Sequence, residues 1–404
     1  AAARAAEAAV MRGDPLGPLH GVPATIKDVQ AVAGTPTRKG SPLTDATPDT
    51  QDAPLVARLR AAGAIILGKT TLPDRGWMAY SDSPLSGPTH NPWKRGYTAG
   101  GSSSGAAALC AAGIAPLHLG TDGAGSVRLP AHFCGVVGLK PTFGRVPYPP
   151  VAGHMLSHAG PITRSAEDAA LMLQVMSGPS AEDATSLPQP FDAATMLPSV
   201  KGMRIAYSPD LGHARVDPEV ASLVADAVRA FEAMGAVVEQ VTPPWGPKAP
   251  EIGRAIWTLL AMPMLPPADQ EHLLDPGLLA WIRASRMEGA ESVPWQSRRF
   301  EFAAEVARWF ADYDLLLTPS ASVAAFPLGH VCPPHWPQHA FDWVSWAEFS
   351  HPFNLAHNPA VSVPCGLTQA GLPVGLQIAA PRFEDARVLG AAAAFLQARP
   401  FAIR

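Results

Sequence analysis

The sequence predicts an α/β fold: a single large domain built on a central mixed, twisted β-sheet covered by helices on both faces. Three observations lead there. Short apolar runs of strand length alternate with helical patterns along the chain, the order expected when helices cover both faces of a buried sheet. With 404 residues, 47% of them hydrophobic, there is enough apolar side chain for one substantial core. The 44 prolines are scattered through loop-like sequence instead of gathered in one linker, so no hinge is expected.

Taken in order, the Ala-rich stretch 1–12 is helix-like, and because it begins at Ala1 without Met, a truncated start is expected. The apolar segment Val22-Pro23-Ala24-Thr25-Ile26 is strand-like and ends at Lys27. Apolar runs predict buried strands at 64–68, 114–120, 136–139, 203–207, 236–241, 315–318 and 360–363. Helical patterns fall at 53–62, 103–112, 165–177, 218–235, 296–312 and 384–398, with the helix-start residues Ser165 and Asp217 at the entrances of two of them. Segment 243–295 differs: its helices are irregular and carry Trp245, Trp257, Met262, Met264, Trp281, Met287 and Trp295. It reads as a variable helical segment in which such Trp and Met are more often plain core, with a lid or pocket wall as the functional alternative, since binding sites are usually apolar and aromatic-lined.

Composition excludes several classes of function. A net charge of −4 with no run of Lys and Arg gives no footprint for nucleic acid. No apolar run reaches the ~18 residues of a membrane span, so neither nucleic acid nor membrane is expected as a partner, and a cytoplasmic location is. Cys110, Cys134, Cys332 and Cys365 lie far apart in apolar or Pro-rich sequence, as reduced packed thiols do. Cys332, His335 and His339 make a C-x2-H-x3-H pattern, but no second ligand pair flanks it, so no metal is expected.

The chemistry centres on Gly120-Thr121-Asp122-Gly123-Ala124-Gly125-Ser126-Val127-Arg128-Leu129-Pro130. It sets one serine hydroxyl behind small residues whose N–H groups can crowd around it, as in an oxyanion hole. A serine needs an adjacent base to attack at neutral pH. Of the thirteen histidines none has a triad context; His20, His90, His132 and His158 lie in Pro- or Gly-flanked, loop-like sequence and read as structural. Lysine can serve when burial keeps it neutral. Lys27, between Ile26 and Asp28-Val29, is placed for that, although its local context alone favours a surface lysine at a strand end and it matters only as part of a set. A second serine turn, Gly100-Gly101-Ser102-Ser103-Ser104-Gly105, completes a Ser-Ser-Lys set. Its G-x-S-x-G spacing also fits a nucleophile elbow centred on Ser103, but the sequence before it, 91–100, is a poor strand for that role.

The segments Gly21-Val22-Pro23-Ala24-Thr25-Ile26-Lys27-Asp28, 100–105 and 120–130 resemble the amidase signature family, as do 133–142, 358–364 and 371–377 further on. The resemblance spans nearly the whole chain and implies one amidase domain over 1–404 with the amidase signature fold. It implies Ser126 as nucleophile, Ser102 as bridging serine after a cis Gly101–Ser102 peptide, and Lys27 as base. The oxyanion hole would be the N–H groups of Gly123, Ala124, Gly125 and Ser126. Ser103 and Thr121 would support the relay, Asp122 and Arg128 would brace the loop, and Gly76, Trp77, Met78 and Tyr80 would match a substrate-channel segment. Two departures stand out: Ala124-Gly125 where relatives often have Gly-Gly, and Ser102-Ser103-Ser104-Gly105 where many have Ser-Ser-Gly-Gly.

The function so implied is cofactor-free hydrolysis of an amide or carbamate C–N bond through an acyl-enzyme, with a hydrophobic or aryl substrate favoured. Expected partners are the small-molecule substrate and, in a homodimer, a second copy of the chain. The alternatives are the glutamine-hydrolysing subunit of a tRNA-dependent amidotransferase and a catalytically silent binding protein on the same fold.

Overall fold

The computed structural model describes residues 1–285 and 292–403. Among these, ten strands form one sheet: β1 (Pro23–Lys27), β2 (Ile65–Thr70), β3 (Leu117–Asp122), β4 (Val137–Lys140), β5 (His158–Thr163), β6 (Arg204–Tyr207), β7 (Val237–Gln240), β8 (Leu315–Pro319), β9 (Ala360–Leu367) and β10 (Pro373–Ala379). Their spatial order is β2-β1-β3-β5-β4-β9-β10-β8-β6-β7. β1 runs parallel to β2 and β3, and β6 parallel to β7 and β8, while the strands between pair antiparallel, so the sheet is mixed as expected.

The helices are α1 (Ala2–Arg12), α2 (Pro54–Ala61), α3 (Ser104–Ala111), α4 (Arg128–Cys134), α5 (Ala166–Met176), α6 (Pro218–Ala233), α7 (Lys248–Ala261), α8 (Pro276–Ala284), α9 (Ser292–Trp309), α10 (His351–Leu355) and α11 (Asp385–Ala398). Strand periodicity decides which face each side chain serves. Leu315 and Leu317 of β8, Val361 and Val363 of β9, and Val374, Leu376 and Ile378 of β10 join one core with residues of α2, α5, α6 and α11. Leu316, Ala360 and Ala379 face the other way, into a core with α7, α9 and α10. Each such fully buried Leu or Val contributes about 1.5–3 kcal/mol. Helices therefore cover both faces of a single domain.

All seven strand runs named from the sequence lie in or overlap strands. β5 and β10 are not among them, since Gly160-Pro161 interrupts the apolar run of β5 and Pro373 and Gly375 that of β10. Gly160 is there for space: a Cβ would sit 2.0 Å from the Leu139 carbonyl of β4. The α5 entrance is capped as its sequence suggests, the Ser165 hydroxyl accepting the Asp168 N–H at 3.0 Å. At α6 the capping position is Asp217, but its side chain makes no cap bond and instead pairs with His335 at 2.9 Å. The described residues of segment 243–295 build α7, two short 3-10 turns, α8 and the beginning of α9, with Trp245 and Trp281 buried; Met287 lies outside the described residues. No helix among the described residues is long and apolar enough to cross a membrane.

Candidate active site

Lys27 ends β1, which is flanked on both sides by parallel neighbours. Alternation sends Ala24 and Ile26 into the core beneath α2 and α5 and leaves Thr25 and Lys27 on the opposite face. Lys27 is 1% exposed. Its Nζ lies 2.8 Å from Ser102 Oγ, 3.0 Å from Ser103 Oγ and 3.3 Å from the Thr121 carbonyl oxygen.

Hydrogen-bond capacity assigns these contacts. The Thr121 carbonyl can only accept, so one Lys27 N–H points there. Ser103 Oγ donates its hydrogen to the same carbonyl at 3.2 Å and accepts the Thr121 N–H at 3.2 Å, so toward Lys27 it too is an acceptor. Two N–H groups are thus committed. The remaining position on Nζ, facing Ser102, holds a proton in the charged lysine and a lone pair in the neutral one. Burial brings the Lys27 pKa down to about 7, against the opposing pull of the Asp122 charge. At neutral pH much of the population therefore presents a lone pair to Ser102.

The Gly101–Ser102 peptide is cis. A Cβ on Gly101 would come within 2.9 Å of the Tyr80 carbonyl, so the turn rests directly on the 76–80 backbone. The two serine turns are joined by the Ser103 N–H, which donates to the Ser126 carbonyl at 3.1 Å. Lys27, Ser102 and Ser126 share a cavity of about 100 Å³ with Gly76, Thr121 and Gly123.

Behind Ser126 the loop is held by a fully buried ion pair. Asp122 accepts the N–H groups of Gly125 at 2.7 Å and Val127 at 3.2 Å, Nδ2 of Asn354 at 2.9 Å, and two guanidinium N–H groups of Arg128 at 3.0 Å each. Arg128 also donates to Gln377 Oε1 at 2.7 Å and to the carbonyl of Ser350 at 3.2 Å. Burial works against the ionised carboxyl, but the charge and hydrogen bonds of Arg128, with Lys140 and Asn354, hold Asp122 well below the usual carboxylate range.

Of the four N–H groups expected to receive an oxyanion, that of Gly125 is already spent on Asp122. Gly125 has φ +106°, and a Cβ there would meet Ser350 Oγ at 2.6 Å. Ala124 borders a smaller neighbouring cavity with Trp343 and His351. A correction concerns the channel segment. Gly76 lines the cavity, where a Cβ would lie 3.2 Å from Ser102 Oγ, but Trp77, Met78 and Tyr80 do not. They are core: Trp77 packs edge-on against Trp281 with centroids 6.3 Å apart, and Tyr80 stacks on Phe326 at 6.2 Å.

The nucleophile elbow at Ser103 finds no support, since that hydroxyl is fully buried and bound to Thr121 and Lys27. The four histidines read as structural have backbone partners. His20 and His158 donate to the carbonyls of Ala6 and Leu156, His90 accepts the Gly96 N–H, and His132 accepts the Gly375 N–H while donating to Val323. Among the described residues no group of three His, Cys, Asp or Glu side chains is placed to hold a metal.

Sequence reasoning missed Arg75, Tyr148, His154, Ser157 and Leu260, all of which line the cavity. They come from irregular segments and one helix, brought together only by tertiary packing. Of the aromatic segment, Trp257 and Met264 reach the cavity. The Trp257 indole N–H donates to the Trp77 carbonyl at 2.8 Å, and a Cβ on Gly123 would meet its ring at 3.3 Å.

Residues 1–389 match a family model described as Amidase. The chain is 43% identical over 405 residues to an acylamidase of Rhodococcus erythropolis, covering 96% of this chain and 84% of that protein. It is 35% identical over 439 residues to a glutamyl-tRNA(Gln) amidotransferase subunit of Moorella thermoacetica, covering 99% and 87%. Among solved structures, a bacterial aryl acylamidase of the amidase signature enzymes superposes with a TM-score of 0.88 at 30% identity, covering 99% of this chain and 86% of that one. A 6-aminohexanoate cyclic dimer hydrolase bound to its substrate gives 0.88 at 28% identity, covering 100% and 89%.

Proposed function

The chain belongs to the amidase family and is an amidase-type C–N hydrolase, and we propose that it cleaves its amide with Ser126 as nucleophile, Ser102 as proton bridge and Lys27 as general base. The observation that carries this is the Lys27 nitrogen 2.8 Å from Ser102 with its other two N–H groups committed elsewhere.

In the neutral lysine the lone pair accepts the Ser102 proton while Ser102 Oγ takes the proton of Ser126. Ser126 Oγ attacks the carbonyl carbon, and the N–H groups of Gly123, Ala124 and Ser126 receive the oxyanion. One such donor is worth about 3 kcal/mol of barrier. The proton held on Lys27 returns through Ser102 to the leaving nitrogen, and the C–N bond breaks to give free amine and an ester on Ser126. Water then attacks that ester with its proton drawn off along the same relay, releasing the acid and restoring both serines.

The apolar wall of Trp257, Leu260 and Met264 favours a hydrophobic or aryl amide and supports a part for segment 243–295 in the pocket. The resemblance to acylamidases supports the same reading. Aryl carbamates carry the same carbonyl and are the nearest alternative. The test is a panel of aryl amides, fatty amides, primary amides and aryl carbamates on the wild type beside Ser126→Ala. Aryl amide turnover lost in the variant supports the reading; turnover surviving there refutes it. Similarity to the amidotransferase component favours a second reading, glutamine hydrolysis within a larger assembly. Turnover of simple amides by the isolated chain, with none of glutamine, decides against it.

A further inference from the structure

We propose that Arg75 determines specificity in the Ser126 cavity by binding a carboxylate carried by the substrate away from the scissile amide. The proposal rests on the amidase reading above and names the substrate class it serves.

Arg75 lines the same cavity as Lys27, Ser102 and Ser126. Its backbone is left-handed, φ 49° and ψ 16°, a conformation unusual for a residue with a Cβ, and its N–H is tied to the Lys39 carbonyl at 2.7 Å. The side chain is 19% exposed. Of the five N–H donors of a guanidinium, one is used on the Met264 carbonyl at 2.8 Å. The neighbouring carboxylate, Asp74, is 3.9 Å from Nε, too far for a hydrogen bond, and its Oδ2 accepts the Asp275 N–H at 2.9 Å. The remaining donors have no acceptor among the described residues.

The rest of the lining points the same way. Among the described residues no Asp, Glu, Asn or Gln side chain borders the cavity. His154 accepts the Leu156 N–H on Nδ1 at 3.1 Å, which puts its proton on Nε2 as a further donor. Among the described residues the cavity walls are thus rich in donors and carry the Arg75 charge, with the buried Asp74 carboxylate 3.9 Å from its Nε as a partial counter-charge. A planar fork of N–H groups fits a carboxylate in two-point contact, which a lysine does not reproduce. With a cavity of only about 100 Å³, that carboxylate lies a few bonds from the reacting carbonyl.

Two pairs of probes test this and distinguish the two sides of the amide: para-acetamidobenzoate against acetanilide, with the carboxylate on the leaving amine, and N-phenylsuccinamate against N-phenylbutanamide, with it on the acyl group. In the wild type, kcat/KM for the carboxylate member of one pair should exceed that of its neutral partner by about tenfold or more, the gain expected of a charge-assisted hydrogen bond. In Arg75→Gln that ratio should fall about 10- to 100-fold through KM, and Arg75→Lys should restore part of it. Neutral members preferred or matched in both wild-type pairs overturns the proposal without any variant. So does an Arg75→Gln that slows both members equally, since holding Met264 in place would do that. Failure of the amidase reading shows separately, as acetanilide turnover that persists in Ser126→Ala.

Discussion

The N–H of Gly125 turns into its own loop and donates to Asp122 Oδ1 at 2.7 Å. The residue before Ser126 is thus part of the brace, and its carboxylate partner is itself held by Arg128. Loop geometry and buried charge are one unit here, and that makes the charge testable.

Asp122→Asn should cost about 3–5 kcal/mol of stability, because it leaves the Arg128 guanidinium buried without its counter-charge. Urea unfolding at neutral pH measures it. The linkage has a definite sign. Asp122 is held below its unfolded pKa, so its stabilisation is present above about pH 4 and is lost as pH falls further toward the folded value. The gap between wild type and variant should narrow on acidification below that point.

For Lys27 the pH slope has the same sign, but its buried site is a net cost where that of Asp122 is a net gain. The lysine pKa is lowered from 10.5 to about 7 on folding, so the unfolded chain binds more protons between those values and stability rises with pH across that window. Below it the buried amine is a net cost. Lys27→Met should therefore be inactive yet more stable than wild type at pH 7, by on the order of 1–3 kcal/mol after its lost hydrogen bonds. The difference should shrink toward pH 10. Thermal or urea midpoints across pH read this directly.

The same ionisation sets the activity profile. kcat/KM should rise with pH along a limb centred near 7 and then level off, as Lys27 loses its proton. A profile flat from pH 5 to 9 is the contrary outcome.

Ser103→Ala should slow turnover about 5- to 100-fold with little effect on KM, since Ser103 holds one Lys27 N–H at 3.0 Å and thereby aims the third position of Nζ at Ser102. Steady-state kinetics with an aryl amide, beside a melting curve showing the fold intact, checks it.

Much of this was legible in the sequence, and the failures share a cause. Strands such as β8 and β9 announce themselves as apolar runs because both faces of each are buried, as Leu315, Leu316 and Leu317 show. The serine turns stood out by local pattern and Lys27 only through its grouping with them in the family resemblance, and the chain folds Lys27 to within 3.0 Å of Ser102 and Ser103. What local pattern could not show was direction. Gly125 reads as a donor until Asp122 is seen to claim it. Trp77 and Tyr80 read as channel residues until Trp281 and Phe326, remote in the chain, are found packed on them. Arg75 and His154 carry no motif, and only the cavity they share with Ser126 reveals them.

The most direct measurement is peptide-mapped mass spectrometry of protein quenched during turnover of an activated aryl amide. The account predicts an acyl group on Ser126 in the wild type, none in Ser126→Ala, and acylation slowed by orders of magnitude in Lys27→Ala. Acyl found on Ser103, or accumulating at an unchanged rate without Lys27, would contradict it.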